Sequence, residues 1–473
     1  MLKIYDSLSR TKKEFIPLDK NRKKVNMYVC GITVYDYCHI GHARTNVAFD
    51  VIYKYLEFSG YKVHYVRNIT DIDDKIINRA KERHEQPNDV AVQFTNIMHE
   101  DFKQLGLARP KDEPKATETI PEILAFIQDL IDKKHAYVGK NGDVFFAVRD
   151  YKDYGQLTQQ SLDSLMSGVR VEKNDAKRDP LDFVLWKMAK NGEPAWPSPW
   201  GDGRPGWHIE CSAMAQKMLG DTIDIHGGGF DLKFPHHENE RAQSEAKTGK
   251  TFVNFWMHTG FLRIDNEKMS KSLKNFLTIR DVLNQYQPEV LRCFLALSHY
   301  RSEVHYSDVS VNQAKSGLDR LYNTLRGLKL VSFDINDHND QDVGQYLTGF
   351  REAMDDDFNA PQAFAILFDL AKEINKQVNF SKTKAGMLGY LLKTLGNIFG
   401  ILQQDPEHYM QSSVDAEEDV QQLSAAEIEG LIKQREQARI EKDFKKSDLI
   451  RQQLLENNIV LEDGASGTIW RRT

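Results

Sequence analysis

The stretch Asn26-Met27-Tyr28-Val29-Cys30, followed by His39-Ile40-Gly41-His42 and then by Ala48, Val51, Ile52, Tyr55 and Leu56, decides the fold of this chain. The first five residues read as a buried strand, and the later apolar spacing reads as one face of a helix. Two histidines thus sit where a strand hands over to a helix. A helix start offers unpaired backbone N–H groups and the positive end of a dipole, and Gly41 removes a side chain that would block a phosphate. His39 and His42 can then donate hydrogen bonds to a phosphate chain. Val63-His64-Tyr65-Val66 reads as the next strand, so residues 1–113 alternate strand and helix as a parallel α/β sheet. A nucleotide cleft is expected at the carboxyl edge of those strands.

A second string, Lys268-Met269-Ser270-Lys271-Ser272 with Lys274 behind it, lies in a polar stretch between Phe261-Leu262 and Phe276-Leu277. Ammonium groups on a loop can neutralise a leaving pyrophosphate as its bond to the α-phosphate breaks. Taken alone, a satisfied turn explains the first string and a solvated lysine loop the second; together they read as two halves of triphosphate chemistry. His226-Gly227-Gly228-Gly229-Phe230-Asp231 follows an expected strand, Thr222-Ile223-Asp224-Ile225. Its glycines could let backbone approach a nucleoside at Gly228, with Asp231 accepting from ribose hydroxyls, although a tight loop needs the same glycines.

Composition sets outer bounds. A chain of 473 residues exceeds one ordinary core, so several domains are expected. The net charge of −6 excludes a protein held to nucleic acid by bulk positive charge and leaves only local basic patches. The start is charged from Lys3 onward, and no apolar run approaches the length of a membrane span, so the expectation is a cytoplasmic protein. Cys30, Cys38, Cys211 and Cys293 are too few and scattered for a disulfide framework, which indicates a reducing compartment. Cys38 and Cys293 read as buried and inert, and His226 and His258 as core histidines.

A metal site, if present, must be assembled from distant segments, because no C-x-x-C occurs. His236 and Glu240 are four residues apart after Pro235 and fall on one face of an expected helix. Cys30 ends the first strand, and Cys211 in Trp207-His208-Ile209-Glu210-Cys211 shortly precedes another. If those strands are neighbours, both thiols reach one cleft, and two sulfurs, an imidazole and a carboxylate suit zinc. Spacing alone favours ordinary buried thiols and a pair on a helix surface, because the four residues are dispersed.

Farther along, Leu318, Leu321, Tyr322, Leu325 and Leu328 fall on one helical face, as do Ala363, Leu367, Leu370, Ile374 and Val378 after a cap at Asn359-Ala360-Pro361. These stripes read as the core of a helical bundle over 310–402. Residues 403–419, acidic and polar, read as a linker. In the last segment, 420–473, Lys433, Arg435, Arg439, Lys442, Lys445, Lys446 and Arg451 outnumber Glu436, Glu441, Asp443 and Asp448. Gly467-Thr468-Ile469-Trp470-Arg471-Arg472 adds an aromatic among cations, a pattern suited to stacking on an unpaired base.

The two signature strings, with Tyr28-Val29-Cys30-Gly31-Ile32-Thr33-Val34-Tyr35-Asp36, Asn68-Ile69-Thr70-Asp71-Ile72-Asp73-Asp74-Lys75 and Phe234-Pro235-His236-His237-Glu238-Asn239-Glu240, resemble the cysteinyl branch of the class I aminoacyl-tRNA synthetases over essentially the whole chain. The resemblance implies a Rossmann-like catalytic domain in two halves, 1–113 and 206–255, and an inserted connective domain over 114–205. It also implies a contact region over 256–309 that bears Lys268 and Lys271, the helical bundle, and a small C-terminal anticodon module. It implies zinc on Cys30, Cys211, His236 and Glu240, one ion per chain, with His237 and Glu238 outside that ligand set. ATP with magnesium would lie on His39, Gly41, His42, Gly228, Asp231 and Lys271, with His39, His42, Lys268 and Lys271 acting in catalysis. Thr33, Thr70 and Trp207 are candidates for the polar end of the substrate cysteine. Arg439, Lys446, Trp470 and Arg471 are candidates for tRNA(Cys). A monomer is expected. The insertion is too short for a hydrolytic editing domain, which fits selection of a thiolate by the metal, since apolar packing discriminates near-isosteres by only about 1–3 kcal/mol. A cysteine ligase with a small amine acceptor would share the activation step and lack the C-terminal module; a non-catalytic zinc-bearing RNA-binding protein would lack the activation step.

Overall fold

The computed structural model describes all residues except 163, 165–174, 265–266, 269–275, 336–339, 413–422, 465–466 and 473. Two units emerge: the first is Met1–Ile279, Leu295–Ser307 and Thr348–Ala363; the second is Arg280–Phe294, Asp308–Leu347 and Phe364–Thr473.

The first unit opens with a hairpin, β1 (Lys3–Asp6) and β2 (Thr11–Glu14), and then enters β3 (Lys24–Thr33). The helix Ile40–Phe58 connects β3 to β4 (Lys62–Thr70), which runs parallel to it. The expected strands are therefore present and longer than the motifs that announced them. Val25, Met27, Tyr28 and Val29 are all fully buried, as a parallel strand covered on both faces requires. The register of β3 on β4 breaks between Val29 and Ile32, and at that break the Gly31 N–H donates to Asn68 Oδ1 at 2.8 Å.

A four-stranded antiparallel sheet follows: β5 (Ala136–Val138), β6 (Val144–Phe146), β7 (Phe183–Met188) and β8 (Gly203–Pro205), in that order. This sheet and the helix Ile120–Asp132 pack through Ile123, Phe126, Phe146 and Trp186 onto Ile209, Ala213 and Ala242. Those last three belong to the helices Trp207–Leu219 and His236–Thr248. The insertion thus braces the two helices that carry Cys211, His236 and Glu240. At about 1.5–3 kcal/mol per large buried apolar side chain, that contact is a substantial part of what holds them.

The parallel sheet then resumes with β9 (Ile223–Gly229) and β10 (Val253–Thr259), giving the order β10-β9-β3-β4. Tyr28 of β3 stands opposite His226 of β9, so the two strands whose adjacency was in question are neighbours. A small three-stranded sheet, β11 (Leu262–Ile264), β12 (Glu267–Lys268) and β13 (Val304–Tyr306), has β11 at its centre.

Where β4 ends and the insertion begins, the Glu113 side chain is only 8 % exposed, 2.7 Å from Arg67 Nη2 and 3.1 Å from His99 Nε2. Burial by itself raises its pKa, but the hydrogen bonds and charges of His99 and Arg67 outweigh that and bring it down to about 2, from an ordinary 4.5. Unfolding restores the ordinary value. Glu113 therefore stabilises the fold above about pH 4.5, and loses that contribution, of about 3 kcal/mol, as pH falls toward 2. In urea titrations across that window, Glu113→Gln is expected to show a shallower acid loss of stability than the parent; parallel curves would refute this.

In the second unit, Leu318, Leu321, Tyr322 and Leu325 of the helix Asp308–Leu325 are buried as expected, whereas Leu328 lies past its end and is half-buried. Likewise Leu367, Leu370 and Ile374 are buried along Ala360–Gln377, and Val378, just beyond it, is 41 % exposed. The stretch read as a linker is partly built. Pro406–Gln411 forms a short helix whose Tyr409 stacks on Tyr322 at 3.8 Å and bonds Asp319 at 2.9 Å. Downstream, the helices Ala425–Ile440 and Phe444–Glu456 and the hairpin β14 (Ile459–Gly464) and β15 (Gly467–Arg472) enclose Ile428, Ile432, Ile450, Leu454, Ile459, Leu461 and Trp470. Among the described residues no helix is long and apolar enough to cross a membrane.

Candidate active site

Four side chains from three elements converge beneath the carboxyl ends of the parallel strands. Cys30 comes from β3, Cys211 from the helix Trp207–Leu219, and His236 and Glu240 from successive turns of the next helix. One donor atom from each lies within 4.8 Å of all the others, and all four residues are buried. Cys30 Sγ is 3.9 Å from Cys211 Sγ and donates to Glu240 Oε1 at 3.3 Å. His236 Nε2 is 3.0 Å from the same oxygen. The other carboxylate oxygen, Oε2, lies at ion-pair distance from His226 Nε2, 3.4 Å. A fully buried carboxylate beside two thiols and an imidazole is a donor set that fits a metal ion.

The protonation pattern agrees. Burial, and then Cys211 and Glu240, push the Cys30 thiol far up, while the hydrogen bond from Cys30 brings Cys211 down to about 6. For His236, burial works against the charged form, but Glu240 and Cys211 prevail and raise it to about 10. Glu240 is held well below the carboxylate range because His226 and His236 outweigh its burial. Without a metal, the cluster balances its charge internally, so a cation that enters must displace protons.

Further histidines enclose this cluster; the sequence left His226 and His258 between core and pocket wall and His237 between the cluster's surroundings and the surface, and gave His208 no role. His208 Nδ1 lies 2.9 Å from His236 Nδ1, which turns His236 so that Nε2 faces Glu240. His226, read as a core histidine, is fully buried with Nε2 3.5 Å from Cys30 Sγ and 3.4 Å from Glu240 Oε2. His237 and Glu238 are both buried; His237 Nδ1 meets His258 Nε2 at 2.9 Å, and His258 Nδ1 meets Ser7 Oγ at 2.8 Å. A single signal was available in advance, the density of histidine between residues 208 and 258.

At the head of the Ile40–Phe58 helix, the two signature histidines cap it reciprocally. The His42 N–H donates to His39 Nδ1 at 3.2 Å, and the His39 N–H donates to His42 Nδ1 at 3.3 Å, with the rings stacked 3.5 Å apart. Both Nδ1 atoms are acceptors, so each neutral ring carries its proton on Nε2 and presents a donor. Burial, then His39 and Lys75, lower the His42 pKa well below the usual range and keep it neutral. Gly41 lies between them, half-buried. Arg67 also reaches this head: its Nη1 donates to Asn46 Oδ1 at 2.9 Å, and Asn46 Nδ2 donates to the His42 carbonyl at 2.9 Å.

The lysine string is described only in part. The backbone of Lys268 pairs with Arg263 in the small sheet, and Lys271 lies outside the described residues. Beyond the string, the Ile40 N–H donates to Leu277 O at 3.1 Å and the Ile279 N–H to Cys38 O at 2.8 Å, with Phe276 edge-on to His39 at 5.2 Å. The segment following the lysines is therefore paired directly with the start of the histidine helix.

The glycines of β9 have a packing reason. A Cβ at Gly227 would lie 2.1 Å from the Phe49 ring, and one at Gly228 2.9 Å from the His237 ring. Asp231 is exposed on the turn Phe230–Lys233, and Gly229 faces Thr45 of the histidine helix. Thr70 is 2 % exposed and accepts from Asn68 Nδ2 at 3.2 Å; Thr33, opposite it, is half-buried. Trp207, 37 % exposed, lays its ring 4.3 Å from that of His236.

The C-terminal candidates separate. Trp470 is 3 % exposed and stands opposite Leu461 inside the hairpin core, so its ring is no platform for a base. Its place just before two arginines in sequence hides an inward position in the strand. Arg471 donates to Glu462 at 3.0 Å, Arg439 lies half-exposed 3.4 Å from Asp463, and Lys446 is exposed.

Comparisons with known proteins bear on this geometry. Residues 17–316 match the model of the class I (C) tRNA synthetase catalytic domain, and residues 349–403 match the DALR domain. Among curated relatives, the cysteine–tRNA ligases of Methylococcus capsulatus and Hahella chejuensis are 55 % and 54 % identical, each alignment covering the whole of both chains. Among solved structures, Mycobacterium tuberculosis methionyl-tRNA synthetase in complex with methionyl-adenylate aligns with a TM-score of 0.57 at 13 % identity, over 80 % of this chain and 89 % of that one. A putative arginyl-tRNA synthetase from Campylobacter jejuni aligns with a TM-score of 0.54 at 13 % identity, over 81 % and 94 %. Such low identities speak to the fold alone. Matched over its full length by relatives more than half identical, and carrying both domains, the chain belongs to the cysteine–tRNA ligase family of class I aminoacyl-tRNA synthetases.

Proposed function

We propose that this chain activates cysteine with ATP to cysteinyl-adenylate and transfers the cysteinyl group to the 3′ end of tRNA(Cys). The observation that carries this reading is the buried quartet Cys30, Cys211, His236 and Glu240 beside the reciprocal histidine cap. Two sulfurs, a nitrogen and a carboxylate oxygen, each within 4.8 Å of the others, fit zinc. Bound there, zinc supplies a Lewis acid that takes a thiolate in preference to a hydroxyl, and so separates cysteine from serine.

The remaining work falls to the chain. His39 and His42 offer Nε2–H donors to the triphosphate, whose magnesium arrives with ATP, and the helix start adds its unpaired N–H groups. Lys268 and Lys271 gather charge on the departing pyrophosphate. Trp207, against His236, with Thr33 and Thr70 at the ends of their strands, would orient the amino acid so that its carboxylate faces the α-phosphorus in line; the P–O bond to pyrophosphate breaks as the new one forms. Gly228 and Asp231 line the nucleoside edge, and Arg439, Lys446 and Arg471 offer cations to tRNA. The metal donors and both signature segments come from a single chain, which supports a monomer as the working unit. A small amine acceptor in place of tRNA is disfavoured because the tRNA ligase relatives match the C-terminal module as well.

Amino-acid-dependent ATP–pyrophosphate exchange tests the reading. Exchange with cysteine is expected to exceed that with serine by more than the roughly 200-fold an apolar pocket can give, and to fade on chelation. No exchange with any amino acid would refute it and favour a non-catalytic RNA-binding protein.

A further inference from the structure

The Arg44 side chain lies two residues beyond His42 and is 1 % exposed. Its Nη1 donates to Leu295 O at 2.7 Å, and its Nη2 lies 2.6 Å from His299 O, 3.0 Å from Tyr300 O and 3.3 Å from Ser302 O. Among the described residues no carboxylate pairs with it, and its Nε is buried without a partner. Burial lowers its pKa to about 10, which leaves it a cation at neutral pH. A buried guanidinium answered only by carbonyls is a costly way to fill space that methionine or leucine would fill. It does supply direction, because a rigid planar fork fixes both the distance and the angle between the groups it joins.

Those groups are a helix and a turn. The turn carrying the His299, Tyr300 and Ser302 carbonyls leads directly into β13, and β13 is paired with β11. It also grips the entry to β11: the Gly260 N–H donates to Tyr300 O at 2.9 Å, and the Val304 N–H to Phe261 O at 2.9 Å. The approach is close enough that a Cβ at Gly260 would fall 2.3 Å from Ser302 O. β11 in turn pairs with β12, where Arg263 stands opposite Lys268. We propose that Arg44 is a positioning residue, which sets the start of the histidine helix at a fixed distance from the small sheet that presents Lys268, and so holds the two signature segments in register for adenylate formation. The pairing of Ile40 with Leu277 holds the far side of the lysine string, and Arg44 holds the near side.

This inference rests on the activation reading above, so the test begins with the parent protein. Arg44→Met keeps length and apolar bulk and removes every donor; Arg44→Lys restores a cation that can meet some of the carbonyls. For each, cysteinyl-adenylate sites are titrated by the burst of pyrophosphate, and kcat and KM are measured in exchange, with bound zinc determined alongside. In Arg44→Met, kcat per titrated site is expected to fall about 100-fold, as for a small misplacement of reacting groups. KM for cysteine and zinc content should stay within about twofold, and Arg44→Lys should recover part of the loss. A purely structural role would instead lower the melting temperature and the number of titrated sites, and leave kcat per site unchanged. That outcome overturns the proposal. If Arg44→Met does not fold, Arg44→Lys decides in the same way: parental kcat per site overturns, and a fall at constant cysteine KM supports. Absence of exchange in the parent would refute the activation reading and this inference together; parental behaviour of the variants refutes this one alone.

Discussion

On the zinc reading proposed above, replacing Cys211 with serine is expected to abolish zinc binding and nearly all cysteine-dependent exchange. Cys211 is 1 % exposed and its thiol is already brought down to about 6 by Cys30, so it is the donor most ready to bind as thiolate. Serine keeps the volume and removes the anion, because its hydroxyl stays protonated at neutral pH and is a poor metal ligand. Three donors would remain, including a Cys30 thiol pushed far up by burial. Bound zinc is expected to fall from one ion per chain to near zero, and exchange by roughly 10³-fold, equivalent to about 4 kcal/mol of lost transition-state binding. Metal analysis and exchange on the purified variant check both. Retention of stoichiometric zinc would remove Cys211 from the ligand set.

Gly31→Ala is the second large effect, and it acts on folding. The added Cβ would lie 1.7 Å from the Asn68 carbonyl oxygen and 2.8 Å from its carbon, both backbone atoms of the adjoining strand. Neither can rotate away, because Thr33 and Thr70 hold the register just beyond the break and Val29 and Arg67 hold it just before. Relief requires β3 and β4 to separate, at a cost of about 3 kcal/mol or more. A fall in melting temperature of roughly 5 °C follows for a unit of this size. Cys30 precedes the displaced residue, so the variant should also hold zinc more weakly. A melting temperature within about 2 °C of the parent would show that the sheet has slack there.

Legibility of the sequence differed from element to element, for physical reasons. The β3-to-helix transition was plain because a continuous apolar run and a helical stripe meet at His39. The quartet was a different matter: His236 and Glu240 share a helix face by spacing, but the approach of Cys30 and Cys211 depends on which strands are neighbours, and only the family likeness specified that. The outer histidines could not be assigned because His208, His226 and His258 stand on three separate elements, and neither spacing nor periodicity links them. The glycines at 227 and 228 were read as room for a nucleoside, and the close packing of Phe49 and His237 against them is a second reason for glycine that the sequence did not disclose. Trp470 shows the limit of reading composition along a strand: two cations follow it, yet alternation turns it inward beside Leu461. The Pro406–Gln411 helix was hidden by polar residues around Tyr409 and Met410, the two that bury it.

The wide separation of the metal donors has a consequence for how the protein is made. Cys30 and Glu240 are 210 residues apart, with the whole insertion between them. At translation rates of about 5–20 residues per second, a nascent chain carries Cys30 for roughly 10–40 s before Glu240 exists. During that interval the thiol has no site to join, and no metal can be held in place. On the zinc reading proposed above, the ion would be acquired only after both halves of the sheet have left the ribosome and paired, which would make metal loading a late checkpoint on biosynthesis.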